Sequence, residues 1–401
     1  MKRSTLTYLF VATAFSIGIS SCSKDESDSK QDEINDLKTE LITNFSNIAY
    51  ANYKDAYDDA VELNNSLIAF TDNPTAATHQ DAKDAWLHSR ESYGQTEAFR
   101  FMNGPIDDDN GPEGALNAWP LDENYMDYVY NPITHEIIRE GLINDESFDI
   151  TLANLNSKNE DGGEKNISIG YHAIEFLLWG QDLNASMSGP DFSLSGQRDY
   201  TDFTTDEDAE RRKIYLKLVG DQLLEDLQYV TTAWAPAAWG RENFESLEDD
   251  KAIEAILTGM GKLSKGELAG ERMFVALSNK DQEDEHSCFS DNTHRDIYNN
   301  ALGIRNIYYG TYGSVSGASI EDLVSAQDSD LAAELTALFE TTWTKIKAVD
   351  AAKPFDKQLT LESVGGSGPI MSAVLSLQEQ GDKIAEAGDA LGLNVVADLE
   401  E

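Results

Sequence analysis

Apolar residues recur at steps of three and four along most of this chain, which is the spacing of an amphipathic α-helix. The first stripe begins at Ile34 and Leu41 and continues to Ala60. A second helix is predicted to begin near Pro74, with Asn73 as its cap. No run of alternating apolar and polar residues competes with these stripes. The chain is therefore predicted to be all-α, most simply as helix bundles.

The charge balance is strongly acidic. The 401 residues carry 30 Lys and Arg against 73 Asp and Glu, a formal net charge of -43. Such a surface repels phosphate backbones, which argues against nucleic acid as a partner. It also attracts cations. Solubility in a salty habitat nevertheless explains most of the net negative charge better than a specific cation-binding function does.

Residues 1–21 are predicted to be a lipoprotein signal peptide. Lys2 and Arg3 form a basic start, and the apolar residues 6–19 are too few to span a bilayer. The stretch Ile19-Ser20-Ser21-Cys22 then resembles a bacterial lipobox. The alternative is an ordinary secretory signal followed by a chance cysteine.

Cys22 is accordingly the predicted lipid attachment site, and residues 22–33 are polar enough to form a flexible tether. The stretch Ser23-Lys24-Asp25-Glu26 resembles the acidic export tag of surface lipoproteins. We therefore expect an exported protein, lipid-anchored at the outer membrane, with the cell surface as its further destination. If Cys22 carries lipid, Cys288 stands alone and no intrachain disulfide forms.

The most specific chemical feature is the stretch Ile169-Gly170-Tyr171-His172-Ala173-Ile174-Glu175. On a helix, residues three apart share a face, so His172 and Glu175 are placed to hold one cation or one proton together. The ordinary alternative is a structural hydrogen bond between the two side chains. By itself the pair does not decide between these readings.

Two further segments carry clustered polar and aromatic residues, one from Gly114 to Glu123 and one from Gly270 to His294. Together with the G-x-H-x-x-E pattern at Gly170, His172 and Glu175, they resemble the imelysin-like family, in its iron-regulated protein A branch. The likeness covers about residues 35–395.

The resemblance implies two up-and-down helical bundles related as a degenerate repeat, which we place at residues 34–205 and 206–401, with long functional loops. It also implies a site where the three motifs converge. Family members are named for a peptidase, whereas related proteins are tied to iron uptake in the cell envelope. The resemblance alone therefore does not decide between peptidase activity and iron binding, and the types of residue at the site must be considered.

Peptidase activity is the weaker reading. A zinc peptidase of the H-E-x-x-H kind needs two histidines on one helix, and the inverted H-x-x-E-H form needs a histidine at position 176, where this chain has Phe176. The helix supplies one nitrogen and one carboxylate. A metallopeptidase that uses His172 and Glu175 stays open as the alternative.

Metal binding without turnover fits better, because one imidazole with several carboxylates suits iron or another divalent or trivalent transition metal. His172 and Glu175 are the predicted ligands. The candidate pocket residues are Asn117, Trp119, Asp122, Glu271, Arg272, His286, Asp291 and His294. Ordinary alternatives are a helix cap at Asp122, an ion pair at Glu271 and Arg272, and a helix start at Asp291.

Haem is a further form in which iron could bind, noncovalently, since no C-x-x-C-H attachment sequence is present. The sequence thus predicts a lipid-anchored envelope protein that binds iron and works with transporter components of iron uptake. A scaffold for a non-metal small molecule or a glycan is the third class.

Overall fold

The computed structural model describes residues 22–131, 133–134, 136–183 and 195–399, with the backbone alone for residues 22–30. The predicted signal peptide, residues 1–21, and the side chain of Cys22 lie outside this description. The all-α prediction is confirmed, because helices supply nearly all the regular structure of the described residues.

The helices are α1 (Cys22–Asp72), α2 (Ala76–Thr96), α3 (Glu113–Leu116), α4 (Glu123–Met126), α5 (Leu152–Lys158), α6 (Tyr171–Trp179), α7 (Ala209–Trp234), α8 (Trp239–Glu245), α9 (Asp249–Lys262), a π-helix (Leu263–Val275), α10 (Ala276–Asn279), α11 (Thr293–Tyr308), α12 (Ile320–Gln327), α13 (Ser329–Ala351), α14 (Phe355–Leu361) and α15 (Pro369–Ala390). Short 3-10 turns occupy Glu97–Phe99, Tyr200–Phe203 and Gln282–Asp284. Two small antiparallel hairpins pair β1 (Val129–Tyr130) with β2 (Ile137–Ile138) and β3 (Thr311–Tyr312) with β4 (Val315–Ser316).

Helix α1 is 51 residues long and organises the fold. It packs most extensively against α2 and α7, and also against α9 and α12. Residues 22–33, predicted as a flexible tether, are helical in the structure, and residues 31–33 are exposed. Lys, Glu and Gln are good helix formers, so the helix continues beyond its first buried residue, Ile34. Neither α1 nor another helix in the described part of the chain is long and apolar enough to cross a bilayer.

The apolar core consists of two clusters. The larger cluster runs from Ile34 to Leu393 and so draws on both halves of the chain. The smaller cluster lies among the π-helix, α11, α13, α14 and α15. Helix α7 follows the predicted boundary between residues 205 and 206, yet it packs on α1 and α6. The division into two bundles at that boundary stays a prediction.

A long helix with an unusual middle section carries one wall of the site. Helix α9 continues without interruption into the π-helix and then into α10. A π-helix closes hydrogen bonds over five residues, is rare, and appears frequently at functional sites. Its wider turn brings Glu267 and Arg272, five residues apart, into contact, with Nη2 of Arg272 2.9 Å from Oε1 of Glu267. In an ordinary α-helix these two side chains would point in different directions.

Candidate functional site

Helix α6 carries the His172/Glu175 pair, and all nine of its residues are buried. Gly170 caps its start with a φ of 90°, a conformation that favours glycine. A Cβ at Gly170 would lie 2.6 Å from the carbonyl oxygen of Ala115 and 2.7 Å from that of Leu116. The glycine of the G-x-H-x-x-E pattern therefore lets the 115–117 backbone lie directly against α6, which brings Asn117 to the site.

His172 and Glu175 form the hydrogen-bonded pair that their spacing predicts. Nδ1 of His172 lies 2.8 Å from Oε2 of Glu175, and the two side chains are 1% and 0% exposed. The backbone N–H and the hydroxyl of Ser290 donate to the other carboxyl oxygen, Oε1, at 2.9 and 2.7 Å. Nε2 of His172 is buried and has no hydrogen-bond partner among the described residues. The pair is thus inaccessible to solvent and is hydrogen-bonded to the loop that contains Ser290.

Burial makes both members of this pair neutral near pH 7. Loss of solvation raises the pKa of Glu175 to about 8, although the Ser290 hydrogen bonds oppose the shift. Burial and the positive charge of Arg90 lower the pKa of His172 to about 3. A neutral histidine beside a protonated carboxyl group costs far less to bury than an ion pair without further partners.

His286 lies against this pair and has a more polar environment. Its ring meets the ring of His172 at a centroid distance of 4.7 Å and an angle of 76°, and the ring of Trp119 at 5.5 Å and 68°. Nδ1 of His286 lies 2.8 Å from Oδ2 of Asp296. Burial and the nearby charge of Arg272 lower the pKa of His286 to about 3, against the opposing effect of Asp296. His286 is therefore a neutral imidazole at pH 7.

A cavity of about 740 Å³ opens beside His286. Five glutamates and two arginines line it, so its wall has a formal excess of three negative charges. The lining residues are Arg100, Glu113, Gly114, Asn117, Ala118, Trp119, Pro120, Glu160, Gly163, Glu164, Glu267, Glu271, Arg272 and His286. Two of the three motif segments contribute to this wall, through residues 114–120 and 271–286, and the remaining lining residues are Arg100, Glu113, Glu267 and three residues between 160 and 164. The G-x-H-x-x-E segment meets the cavity only indirectly, through the contact of His172 with His286.

An ion-pair network stabilises the wall contributed by the π-helix. Arg272 donates to Oε2 of Glu97 at 2.5 Å and to Oε1 of Glu267 at 2.9 Å. Arg100 contacts Glu97 and Glu113 at 2.8 Å each. Although burial opposes ionisation, the charges of Arg272 and Arg100 hold the pKa of Glu97 well below its usual range. The carboxylate of Glu97 is thus fixed as an anion between two guanidinium groups.

The structure brings five of the predicted pocket residues together, namely Asn117, Trp119, Glu271, Arg272 and His286. His172 and Glu175 lie behind this cavity, with His172 in contact with His286. Within the described residues, no group of three or more His, Cys, Asp or Glu side chains is arranged to hold a metal ion. The assignment of His172 and Glu175 as ligands stays a prediction.

Three predicted pocket residues do not line the cavity. Asp122 caps α4, where its Oδ1 accepts a hydrogen bond from the backbone N–H of Asn124 at 3.1 Å. Asp291 has a φ of 58°, and its carbonyl oxygen lies 3.0 Å from Nδ1 of His294. Nε2 of His294 lies 4.0 Å from Oδ1 of Asp350. Asp291 and His294 therefore belong to the start of α11 and not to the cavity wall.

Three residues that hold the site together, Arg90, Glu97 and Asp296, are not among the residues predicted from the sequence. Each lies on a helix or a 3-10 turn, is at most 2% exposed and is ion-paired. Asp296 lies two residues beyond His294, the last residue of the third motif segment. Arg90 and Glu97 had only one signal, their placement among apolar residues of a predicted helix.

Comparison with known proteins identifies the family and the fold of this chain. The family model described as Imelysin, Peptidase M75, matches residues 49–384. Iron-regulated protein A of Synechococcus elongatus is 23% identical over 361 residues, which cover 86% of this chain and 85% of that protein. A crystal structure from Parabacteroides distasonis, of a protein provisionally assigned as an iron-regulated protein A precursor, has a TM-score of 0.69 at 21% identity and covers 88% of this chain and 95% of that one. This likeness shows a shared fold. Because the family model spans most of its length, the chain belongs to the imelysin family.

Proposed function

We propose that this chain is an iron-binding protein of the cell envelope that serves iron acquisition, and that a cation binds in the acidic cavity beside His286. The observation that carries the proposal is the neutral imidazole of His286 at the wall of a cavity with three excess negative charges. A nitrogen donor with surrounding carboxylates suits a transition metal. Asp296 holds the other ring nitrogen, which is the usual support of a metal-binding histidine.

His286 is a better first ligand than His172 because of access. Both side chains are 1% exposed, but His286 lines the cavity and His172 lies behind the ring of His286. Glu113, Glu267 and Glu271 are wall carboxylates that would supply oxygen ligands after side-chain movement. In this proposal the His172/Glu175 pair supports the back of the site and fixes the His286 ring by packing.

A bare cation fits the cavity better than haem does. Haem needs apolar walls around its ring, and Ala118, Trp119 and Pro120 are the main apolar contribution among the lining residues. Charged side chains form most of the remainder. The two arginines of the wall, Arg100 and Arg272, are already paired with glutamates, so they do not offer a site for an anionic group.

A metallopeptidase that uses His172 and Glu175 is less well supported. Both side chains are buried and bonded to each other, so a peptide cannot reach them without a large rearrangement. A hydrolytic site needs a metal-bound water that is accessible to the substrate. The family's peptidase name is therefore not carried over to this chain.

The proposed location in the envelope rests on the N-terminal residues 1–22, and the proposed partners are transporter components of iron uptake. Lipid on Cys22 would keep the cavity close to a membrane surface. Metabolic labelling of cells with a fatty acid tests this part. Label should appear on the wild-type chain and be lost in Cys22→Ala, and label that persists in the variant would contradict the proposal.

The binding proposal is tested by titrating the purified chain with ferrous, ferric, zinc and haem iron in a calorimeter. We expect wild-type protein to bind a cation and His286→Gln to bind it at least tenfold more weakly. His88→Gln is the matched control, because the His88 side chain is 63% exposed, lies near Asp59 and does not line the cavity. Equal affinity in all three proteins would remove the cavity from the proposal.

A further inference from the structure

Arg90 does not line the cavity, but it lies next to two residues that contact His286, namely Asn117 and Asp296. Its side chain is 1% exposed, and its guanidinium carbon lies 4.9 to 5.5 Å from three aromatic ring centroids, those of Trp86, Tyr93 and Tyr171. This cage fixes the plane of the guanidinium. Within it, Arg90 donates in two directions, toward Asn117 and toward Asp296.

The first direction determines how the Asn117 amide is oriented. Nη1 of Arg90 lies 2.7 Å from Oδ1 of Asn117, and a guanidinium only donates hydrogen bonds, so the facing atom must be the amide oxygen. The amide nitrogen of Asn117 then lies 3.4 Å from Nε2 of His286 and 3.4 Å from Oε1 of Glu97. Because an amide nitrogen donates as well, Nε2 of His286 must offer its lone pair.

The second direction leads to the same ring from its other side. Nε and Nη2 of Arg90 lie 3.2 and 3.1 Å from Oδ1 of Asp296. Oδ1 of Asp296 thus accepts two hydrogen bonds from a guanidinium, and Oδ2 accepts one from the hydroxyl of Ser287, so both oxygens act as acceptors in an ion pair. An ionised carboxylate only accepts hydrogen bonds, so Nδ1 of His286 must carry the ring proton.

We propose that Arg90 is a positioning residue that fixes the tautomer of His286 from both sides, through Asn117 and Asp296. The ring proton is held on Nδ1, and the lone pair of Nε2 is directed toward Asn117 and the cavity. The rings of His172 and Trp119 pack against His286 and oppose a ring flip. The inference deepens the proposed function and rests on it for the role of the lone pair, because a histidine binds a cation through an unprotonated nitrogen.

The same geometry assigns a second role to Asn117. Its amide nitrogen occupies the approach to Nε2 at 3.4 Å, a weak contact that a cation would have to displace. The Asn117 amide group, held in place by Arg90, therefore blocks the lone pair of Nε2 until a cation displaces it. Arg90→Lys keeps the charge but loses the planar fork, so one ammonium group cannot hold Asn117 and Asp296 in the same orientation.

The test is nitrogen NMR of the purified full chain, with histidine labelled at both ring nitrogens and no metal added. The chain has six histidines, and His286→Gln assigns the signals of His286. For the wild type we expect protonated Nδ1 and unprotonated Nε2 at pH 7. For Arg90→Lys we expect a measurable fraction with protonated Nε2 and at least tenfold weaker cation binding.

Asn117→Asp provides a second variant of nearly identical shape, in case Arg90→Lys does not fold. It places an acceptor against Nε2, so we expect Nε2 to become protonated. A wild-type His286 with its proton on Nε2, or an unchanged tautomer in Asn117→Asp or in folded Arg90→Lys, would overturn the inference. If the tautomers behave as expected but wild-type protein binds no cation, the inference on Arg90 stands and the proposed function fails.

Discussion

The imidazole of His172 meets the imidazole of His286 edge to face, with ring centroids 4.7 Å apart and ring planes at 76°. The two residues lie 114 positions apart in the sequence and belong to different motif segments. Each ring has a carboxyl partner on Nδ1, Glu175 for His172 and Asp296 for His286. Only the second ring reaches the cavity. The two histidines therefore have different roles, one internal support and one candidate ligand.

Glu175→Gln should become increasingly more stable than wild type as pH rises. Burial raises the folded pKa of Glu175 from 4.5 to about 8, so the folded state holds a proton that the unfolded state releases. Wild-type stability from this group is complete below pH 4.5 and is lost as pH rises through 8. Glutamine mimics the protonated form and does not titrate, so the variant should gain on the order of 3 kcal/mol between pH 5 and pH 8. Urea unfolding at both pH values measures this, and a constant difference would contradict it.

Arg272→Met should destabilise the fold by about 3–5 kcal/mol, because it leaves Glu97 and Glu267 buried without their main cation. The double variant with Glu97→Gln should recover much of that loss in a double-mutant cycle. Arg305→Met is the matched control, since its partner Glu340 is 53% exposed and the pair should contribute less than about 1 kcal/mol. Additive losses in the cycle would argue against a coupled network.

Gly303→Ala should cost at least about 2 kcal/mol, because helices α2 and α11 touch there. A Cβ on Gly303 would lie 2.3 Å from the carbonyl oxygen of Gln95, which is backbone and cannot rotate away. Gly270→Ala is the control, as its nearest neighbour would be 3.8 Å away. That change should be neutral or stabilising by up to about 1 kcal/mol. Similar thermal stabilities of the two variants would contradict this packing.

His79→Gln should reduce the loss of stability in mild acid. Burial lowers the folded pKa of His79 from 6.5 to about 4, so the neutral ring contributes stability above pH 6.5 that is lost as pH falls toward 4. The ring lies against Phe70 and its Nε2 is 2.8 Å from the carbonyl oxygen of Leu178. Relative to wild type, the variant should lose on the order of 2 kcal/mol less between pH 7 and pH 5. Parallel pH profiles would show that His79 does not cause the acid sensitivity.

The helical stripes could be predicted because each long helix must bury one face, which imposes its period on the apolar residues. The ends of the helices were harder to place. The sequence predicts that the second helix begins near Pro74 with Asn73 as its cap, whereas in the structure Thr75 is the cap and Ala76 is the first residue. The side chains of Thr75 and Thr78 each accept a hydrogen bond from the other residue's backbone N–H. This capping box usually has Glu or Gln at the second position, so the sequence Thr-x-x-Thr does not indicate it clearly.

The cavity could be predicted only in part. Five of its residues were found because they belong to motifs, whereas Glu97 and Arg90 belong to helices whose charged residues usually face solvent. The contact of Glu267 with Arg272 was invisible for another reason. It depends on the π-helix, which brings residues five apart together. In an α-helix of 3.6 residues per turn, these two side chains would lie on different faces.

An anomalous difference map, calculated at the iron edge from a crystal of this protein soaked in an iron salt, tests the proposed metal site most directly. We predict a peak in the cavity about 2.1 Å from Nε2 of His286, the usual metal–nitrogen distance, with Asn117 displaced from that nitrogen. A peak bound elsewhere, or an unoccupied His286 at an iron concentration that saturates the protein in solution, would contradict it.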